Sequence, residues 1–314
     1  MTKPHVLQIG SYPEWDEAPL SEAYALHRYY AARDPAAFLA EVGHKVRAIA
    51  TSGTAGASQA IIHACPNLEL IAIYGVGYDA VDLATCRARG IAVTNTPDVL
   101  TGDVADLAIA MMLALTRRTV QADAWVRSGN WAAQGSFPVS RRAFGRRAGI
   151  LGLGRIGTAI AHRLSGFGMD IAYSAHSAKA TPWTFIPDPI ALAARSDILF
   201  VALAASAETR HIVNAQVLRA LGPEGIIINI SRAANIDECA LLELLASHGI
   251  AGAALDVFDA EPNLNPRFLQ LDNVLLQPHI GSATVETRRA MGQLMRDNLT
   301  AHFAGLPLLT PVTE

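Results

Sequence analysis

Three charged or ionisable side chains in the second half of the chain each follow a short apolar run. Arg232 follows "IIINIS", Glu261 follows "AALDVFDA" and His279 follows "NVLLQP". An arginine binds a carboxylate and polarises a carbonyl oxygen, a histidine donates a proton near neutral pH, and a neighbouring glutamate favours the protonated histidine. Reduction of a 2-oxo acid needs these three functions. Each residue alone is typical of a surface, so the prediction that they are catalytic depends on their joint placement.

A glycine motif, "GLGRIG" at residues 152–157, could bind the phosphates of a dinucleotide. The apolar run "AGIL" precedes it and the helical stretch "TAIAHRLSGFG" follows it, which is the strand, turn and helix context that this motif requires. Gly152 suits the tight turn, and Gly154 allows backbone amides to approach a pyrophosphate. Gly157 allows the helix to pack closely on the strand. The candidate cofactor-binding residues here are Gly152, Gly154, Arg155, Ile156 and Gly157. A glycine-rich turn without a ligand is the alternative.

The stretch "YSAHSAK", residues 173–179, stands where an NAD-binding fold usually carries an acidic residue for the adenosine ribose. A carboxylate would repel a 2′-phosphate, whereas hydroxyl groups and cations can bind it. We therefore predict that NADPH is preferred, with use of NADH left open, and that the cofactor contacts Ser174, His176, Ser177 and Lys179. The alternative is a solvated loop whose ribose contact comes from elsewhere, because the stretch has no arginine for a bidentate phosphate contact.

These candidate residues need a framework of parallel strands, and the sequence predicts one. The first hundred residues alternate β-rich runs with helical stretches, and a second such series starts after one long helix over residues 103–118 and a polar connection. We expect an α/β chain with two doubly wound parallel-sheet domains, a Rossmann-type coenzyme domain and a flavodoxin-like substrate domain, with a cleft between them. Residues 1–98 and 286–314 are assigned to the substrate-binding (catalytic) domain, because the last helix has no sheet of its own. Residues 99–285 are assigned to the dinucleotide-binding domain.

Composition and charge limit the class of partner. The 314 residues are 51% hydrophobic and 17% charged with a formal net charge of -3, which suits a soluble two-domain protein and gives no basic surface for nucleic acid or a membrane. The apolar run over residues 107–115 is too short for the ~20 residues that span a membrane, and the amino-terminal stretch lacks a signal-peptide core. Cys65, Cys86 and Cys239 fit neither a disulfide framework nor a zinc site, which predicts a reducing, cytoplasmic location and no metal. We therefore expect a small-molecule partner.

Several ordered motifs resemble those of the D-isomer-specific 2-hydroxyacid dehydrogenases over essentially the whole chain. They are "YGVGYDAVDL", "VTNTPDVLTGDVADLAIAMML", "GILGLGRIGTAIAHRL", "NISRAANIDE", "GAALDVFDAEP" and "NVLLQPHIGSAT". The resemblance is closest to the glyoxylate/hydroxypyruvate reductases, and it implies NAD(P)H-dependent reduction of glyoxylate or hydroxypyruvate to glycolate or D-glycerate. It also implies a homodimer formed through the coenzyme domain, with the helix of residues 103–118 in the interface.

By position, the three candidate catalytic residues match the substrate-binding arginine, the glutamate before proline and the acid/base histidine of this family. The resemblance further implies that the backbone amides of Val76 and Gly77 hold the substrate carboxylate and that Asp256 contacts the nicotinamide carboxamide. The chain departs from the usual family pattern at three positions, Ala204, Ala233 and Gln277. None of these departures removes a reacting group, so activity is expected.

Other functions share this architecture. Within the enzyme class, the alternatives are another D-2-hydroxyacid dehydrogenase, a phosphoglycerate dehydrogenase, or a phosphite or formate dehydrogenase. A phosphoglycerate enzyme more often carries the acidic ribose partner that the stretch at residues 173–179 lacks. Outside the enzyme class, a corepressor-like module that senses dinucleotides would carry the same arginine, glutamate and histidine. Tight dinucleotide binding without turnover of any 2-oxo acid would favour that module.

Overall fold

Two parallel β-sheets, one in each half of the chain, form the framework of the structure, a computed structural model that describes residues 2–313. Unit 1 comprises the described residues through Leu100 together with those from Ser282 onward, and unit 2 comprises Thr101–Gly281. The predicted fold class, an α/β chain with two parallel-sheet parts, is confirmed. The sequence analysis placed the divisions after residues 98 and 285, and the functions that it assigned to the two parts stay predictions.

Short strands alternate with helices over residues 2–100. The elements are β1 (His5–Gln8), α1 (Glu14–Ala23), β2 (Ala25–Arg28), α2 (Pro35–Val42), β3 (Ala48–Ser52), α3 (Gln59–Ala64), β4 (Leu70–Tyr74), α4 (Leu83–Ala88) and β5 (Ala92–Thr94). The sheet order is β2-β1-β3-β4-β5 with every pair parallel, which is the flavodoxin-like order. Strand β2 was missed in the sequence because "ALHR" is short and contains no buried residue that would give an apolar pattern.

Unit 2 begins with a long helix and two shorter ones and continues with a seven-stranded sheet whose strands alternate with helices. The elements are α5 (Thr101–Arg117), α6 (Thr119–Arg127), α7 (Asn130–Gln134), β6 (Arg147–Leu151), α8 (Arg155–Gly166), β7 (Asp170–Ser174), β8 (Thr184–Phe185), α9 (Pro189–Arg195), β9 (Ile198–Val201), α10 (Ala215–Leu221), β10 (Ile226–Asn229), α11 (Glu238–Ala246), β11 (Gly252–Leu255) and β12 (Val274–Leu276). The sheet order is β12-β11-β10-β9-β6-β7-β8, the Rossmann order with one further strand. Helix α5 matches the predicted long helix, and α7 lies in the polar connection predicted after it.

The central strands of unit 2 are apolar because helices cover both faces of a parallel sheet. Every residue of β9 and β10 is buried. The covering helices begin at residues whose side chains accept backbone N–H groups of the first turn, namely Asp188 for α9, Asn214 for α10 and Asp237 for α11. Local sequence therefore sets where each helix starts, and burial against helices on both faces stabilises the central strands.

The last helix, α12 (Val285–Phe303), packs against β4 and α1 of unit 1. The Tyr74 hydroxyl donates to the backbone carbonyl of Arg288 at 2.7 Å, and the fully buried carboxylate of Asp16 forms an ion pair with Arg296. A Cβ at Gly292 would overlap the Asp16 carboxylate, so α12 and α1 approach closely there. The sheet of unit 1 is thus covered by a helix that follows unit 2 in the chain.

Candidate active site

Arg232, Glu261 and His279 lie at one edge of the unit 2 sheet. The strands that precede them, β10, β11 and β12, are neighbours and pair in parallel. Parallel neighbours end at the same edge, which is where open α/β sheets bind ligands. The structure therefore brings together three residues that are well separated in the sequence.

A buried asparagine shapes the turn that carries Arg232. Asn229, the last residue of β10, accepts hydrogen bonds from the backbone N–H and the hydroxyl of Ser231 and donates to the Arg232 carbonyl at 3.0 Å. Asn235 donates to the Ser231 hydroxyl at 3.1 Å, and the Arg232 guanidinium donates to the Ser231 carbonyl at 2.9 Å. Sequence reasoning did not select Asn229 or Asn235. The feature of the sequence that could have indicated Asn229 is a polar residue at the end of an otherwise apolar strand.

The imidazole of His279 and the carboxylate of Glu261 form the central pair of the site. His279 Nδ1 lies 2.7 Å from Glu261 Oε2, and the backbone N–H of Phe258 donates to Glu261 Oε1 at 2.9 Å. Burial raises the pKa of Glu261, but the hydrogen bonds from His279 and Phe258 and the nearby charge of Arg232 outweigh it, so the pKa lies below its ordinary value. Glu261 is therefore ionised near neutral pH, with its carboxylate directly beside Nδ1 of the imidazole.

The backbone at His279 adopts a left-handed conformation, with φ of 54°, which is uncommon for a residue that has a Cβ. Asp256, directly after β11 and 1% exposed, accepts the next two backbone N–H groups, those of Ile280 and Gly281, each at 2.8 Å. Burial raises the pKa of Asp256, and the two N–H donors act against that rise without cancelling it. Both carboxylate oxygens thus bind the loop of His279. The expected contact of Asp256 with a nicotinamide carboxamide stays a prediction.

The glycine motif leaves open space at the start of helix α8. Gly152 has φ of 94°, and a Cβ there would lie 2.9 Å from the backbone of Ala202, while a Cβ at Gly157 would overlap the Gly152 carbonyl. A Cβ at Gly154, in contrast, would meet nothing within 4 Å. Gly154 is the N-cap of α8, and no side chain caps that helix, so its first N–H groups can bind an anion. These residues fit the phosphates of a dinucleotide.

The loop after β7 places a cation beside the glycine motif. Lys179 Nζ donates to the backbone carbonyl of Leu153 at 2.6 Å, and the backbone N–H of Lys179 donates to the Tyr173 hydroxyl at 2.7 Å. Ser174 is buried, and its hydroxyl donates to the carbonyl of Pro187 at 3.0 Å. Lys179 is thus brought to the motif, whereas the Ser174 hydroxyl already has a protein partner.

The other residues predicted to contact the cofactor lie at the surface of the same region. His176 and Ser177 are exposed in the loop after β7. Arg155 and Ile156 are the first two residues of α8, with Arg155 exposed and Ile156 partly buried. Their contacts with a cofactor stay predictions.

Val76 and Gly77 lie in unit 1, in the loop directly after β4, and both are partly buried. Asn95, directly after β5, donates through Nδ2 to the Val76 carbonyl at 2.8 Å. Sequence reasoning did not select Asn95. The predicted binding of a carboxylate by the Val76 and Gly77 amides stays a prediction.

The described residues form neither a metal-binding cluster nor a membrane-spanning helix. Among residues 2–313, no group of three or more His, Cys, Asp or Glu side chains could hold a metal ion. Over the same part of the chain, no helix combines the length and the apolar character needed to cross a membrane. The cysteines Cys65, Cys86 and Cys239 are free thiols.

Comparison with known families covers most of unit 2. Residues 109–281, which include the glycine motif and the three candidate catalytic residues, match the model of the D-isomer specific 2-hydroxyacid dehydrogenase, NAD binding domain. The matched residues make up more than half of the chain. The chain therefore belongs to the D-isomer-specific 2-hydroxyacid dehydrogenase family, and the resemblance seen in its motifs is confirmed.

Individual relatives match both halves of the chain. A hydroxyphenylpyruvate reductase from Plectranthus scutellarioides is 46% identical over 308 residues, which cover 98% of this chain and 98% of the relative. The structure of a 2-hydroxyacid dehydrogenase from Ketogulonicigenium vulgare Y25 is 64% identical with a TM-score of 0.93, covering 100% of this chain and 99% of that chain. An NADPH-dependent glyoxylate/hydroxypyruvate reductase from Sinorhizobium meliloti, solved with NADP and malonate, is 41% identical with a TM-score of 0.92, covering 99% and 97%.

Gly154→Ala and Gly157→Ala are expected to separate cofactor binding from stability. A methyl group at residue 154 would project into the open space before α8, so the dissociation constant of the reduced cofactor should rise roughly tenfold at an unchanged melting temperature. A methyl group at residue 157 would overlap the Gly152 carbonyl and should lower the free energy of unfolding by roughly 1–3 kcal/mol. Fluorescence titration and thermal unfolding measure the two effects. Gly166→Ala, in open space at the other end of α8, is the control, and unchanged cofactor affinity in Gly154→Ala would contradict the dinucleotide site.

Proposed function

We propose that this protein reduces small 2-oxo acids, glyoxylate and hydroxypyruvate, to glycolate and D-glycerate, with NADPH as the preferred reductant. The observation that carries the proposal is the 2.7 Å contact between His279 and Glu261, at the sheet edge that also holds Arg232. Membership of the 2-hydroxyacid dehydrogenase family and similarity to a glyoxylate/hydroxypyruvate reductase support it.

The reaction adds a hydride to C2 of the substrate and a proton to the carbonyl oxygen. The bound dinucleotide supplies the hydride. His279 is held through Nδ1 by Glu261 and donates the proton from Nε2, while Arg232 binds the substrate carboxylate and polarises the carbonyl oxygen. The backbone amides of Val76 and Gly77, in unit 1, are proposed as further ligands of the carboxylate.

A nicotinamide cofactor follows from the family, and the preference for NADPH is proposed from the loop after β7. This loop has no carboxylate that would repel a 2′-phosphate, and it holds the ammonium group of Lys179 beside the glycine motif. His176 and Ser177 supply further polar groups at the surface of the same loop. The Sinorhizobium meliloti relative, which is NADPH-dependent and was solved with NADP, supports the preference.

The relatives differ in the 2-oxo acid that their names specify. One relative is a hydroxyphenylpyruvate reductase, whose name specifies an aromatic 2-oxo acid. Another is a glyoxylate/hydroxypyruvate reductase, whose name specifies small ones. An aromatic 2-oxo acid is therefore the alternative substrate, and it would use the same proton donor and the same carboxylate ligands.

We also propose a cytoplasmic homodimer that associates through unit 2. Apolar side chains are exposed on the segment that follows α5, namely Val120, Val126, Trp131, Val139 and Phe144. A concentration of exposed apolar residues on one segment is typical of a protein interface. The three free thiols are consistent with a reducing compartment.

Consumption of NADPH with hydroxypyruvate and with glyoxylate, followed by absorbance, tests the function. The wild-type protein is expected to turn over both substrates, and His279→Ala is expected to lose roughly 10²- to 10⁴-fold in kcat, as removal of a general acid does, at unchanged cofactor affinity. His248→Ala is the matched control, because His248 is exposed and shares the positive φ of His279. Undiminished kcat in His279→Ala would refute its role. Tight NADPH binding without turnover of any 2-oxo acid would instead indicate a binding module.

Glu261→Gln is expected to move the alkaline limb of the pH profile of kcat/KM for reduction to lower pH. Reduction needs the protonated imidazole, which the carboxylate stabilises and the neutral amide does not, so the variant should lose more activity at about pH 8 than at about pH 6. Because the pKa of Glu261 is lowered, its carboxylate stays ionised in the wild-type protein over this whole pH range. Glu243→Gln, on the exposed face of α11, is the control. Superimposable profiles for Glu261→Gln and the control would contradict the pairing.

Lys179→Met is expected to lower kcat/KM for NADPH by roughly tenfold, about 1.4 kcal/mol, and to leave kcat/KM for NADH nearly unchanged. Methionine keeps the length of the side chain and removes the charge that would bind the 2′-phosphate. Steady-state kinetics with the two cofactors under identical conditions measure the ratio. Lys45→Met, at an exposed position in unit 1, controls for loss of a positive charge elsewhere. An equal loss with both cofactors would assign Lys179 a purely structural role at the glycine motif.

A further inference from the structure

The last described residues of the chain extend the sheet of unit 1. Pro311 forms an antiparallel bridge with Thr94, and the backbone N–H of Val312 donates to the Val93 carbonyl at 2.8 Å. This carboxyl-terminal segment therefore lies along β5, immediately before Asn95. The segment is not part of a regular strand in the described residues 304–313, but it pairs with the edge of the sheet.

Thr310 is the centre of a hydrogen-bond network in this segment. Its hydroxyl donates to the Asn95 carbonyl at 2.6 Å and accepts a hydrogen bond from Asn298 Nδ2 at 2.9 Å. Asn298 Oδ1 in turn accepts the backbone N–H groups of Leu309 and Thr310, at 3.0 and 3.2 Å. Asn298 is fully buried in α12, so its hydrogen-bonding groups depend on protein partners.

The network continues into the loop after β4 and fixes two peptide planes there. The backbone N–H of Thr96 donates to the Gly75 carbonyl at 2.8 Å, and Asn95 Nδ2 donates to the Val76 carbonyl at 2.8 Å. In a trans peptide the N–H points away from the carbonyl of the same plane. The bond to Gly75 therefore orients the N–H of Val76, and the bond to Val76 orients the N–H of Gly77.

We propose that Thr310 and Asn298 are positioning residues for the loop that binds the substrate carboxylate. They hold Asn95, and Asn95 and Thr96 hold the two peptide planes whose N–H groups are the carboxylate ligands. The inference rests on the proposed function, because it takes the amides of Val76 and Gly77 to be those ligands. The carboxyl-terminal segment thus acts on substrate binding without contacting the substrate.

Thr310→Val tests this role, because valine keeps the shape of the side chain and removes the hydroxyl that Asn95 and Asn298 share. The expected result is a rise of roughly tenfold in KM for hydroxypyruvate and in the inhibition constant of oxalate, with kcat and the KM for NADPH changed less than about twofold. Thr310→Ser keeps the hydroxyl and should restore the wild-type KM. Thr313→Val, the same substitution at an exposed position of the same segment, is the matched control.

A second readout does not depend on activity. Hydrogen–deuterium exchange of the peptide that covers residues 74–80 should be faster in Thr310→Val than in Thr313→Val, because the loop is less firmly held. Asn95→Asp, which replaces the amide donor to Val76 by an oxygen, should speed exchange in the same way. Thr310→Ala removes the same hydroxyl without adding a second methyl group and serves if Thr310→Val does not fold.

The outcomes separate this inference from the proposed function. Normal turnover by the wild-type protein, with equal KM and equal exchange in Thr310→Val and Thr313→Val, would overturn the positioning role and leave the function intact. A higher KM in Thr310→Val that Thr310→Ser does not restore would also overturn it. Absence of turnover in the wild-type protein would refute the proposed function. The exchange measurement alone would then decide whether Thr310 holds the loop.

Discussion

Because β10, β11 and β12 pair in parallel, the loops that carry Arg232, Glu261 and His279 emerge at one edge of one sheet. The register joins Ile226 to Gly252 and Ala253 to Val274. This register sets the height at which each loop begins, so a slip of one residue in either pairing would shift the three side chains relative to one another. The contact between His279 and Glu261 thus depends on strand pairing, which brings the two loops together.

Backbone N–H groups hold the acidic residues of the site in place. Phe258 donates to Glu261, and Ile280 and Gly281 donate to Asp256. Such donors belong to the main chain and cannot rotate away, so the carboxylates reach their orientation without a substrate. The left-handed backbone at His279 is compatible with this arrangement because the two amides that follow it are bound by a buried carboxylate. A carboxylate directly after β11 therefore holds the loop that carries the proposed proton donor.

Residue type and local periodicity were sufficient to predict the strands that precede the proposed proton donor, its glutamate and the glycine motif. Each of these follows an apolar strand, and the parallel sheet follows from the alternation of strands and helices. The supporting residues could not be predicted in this way. Thr310 is hydrogen-bonded both to Asn298 and to Asn95, which lies 215 residues earlier in the chain, and such contacts leave no periodic signal in the sequence. Asn229 was missed for a related reason, because its partners lie in the turn that it creates.

In the loop after β7, residue types predicted which side chains could contact a cofactor, but packing determines the contacts that those side chains make. The position of Ser174 at the end of its strand followed from the apolar pattern, but its hydroxyl is directed to Pro187, which the pattern does not specify. Lys179 returns to the glycine motif because the Tyr173 hydroxyl binds its backbone N–H, so a buried tyrosine places the cation. The partner of the ammonium group is a neutral carbonyl, that of Leu153, which leaves the positive charge uncompensated by that contact. In the proposed preference for NADPH, the electrostatic attraction to a 2′-phosphate therefore depends on Lys179 more than on Ser174.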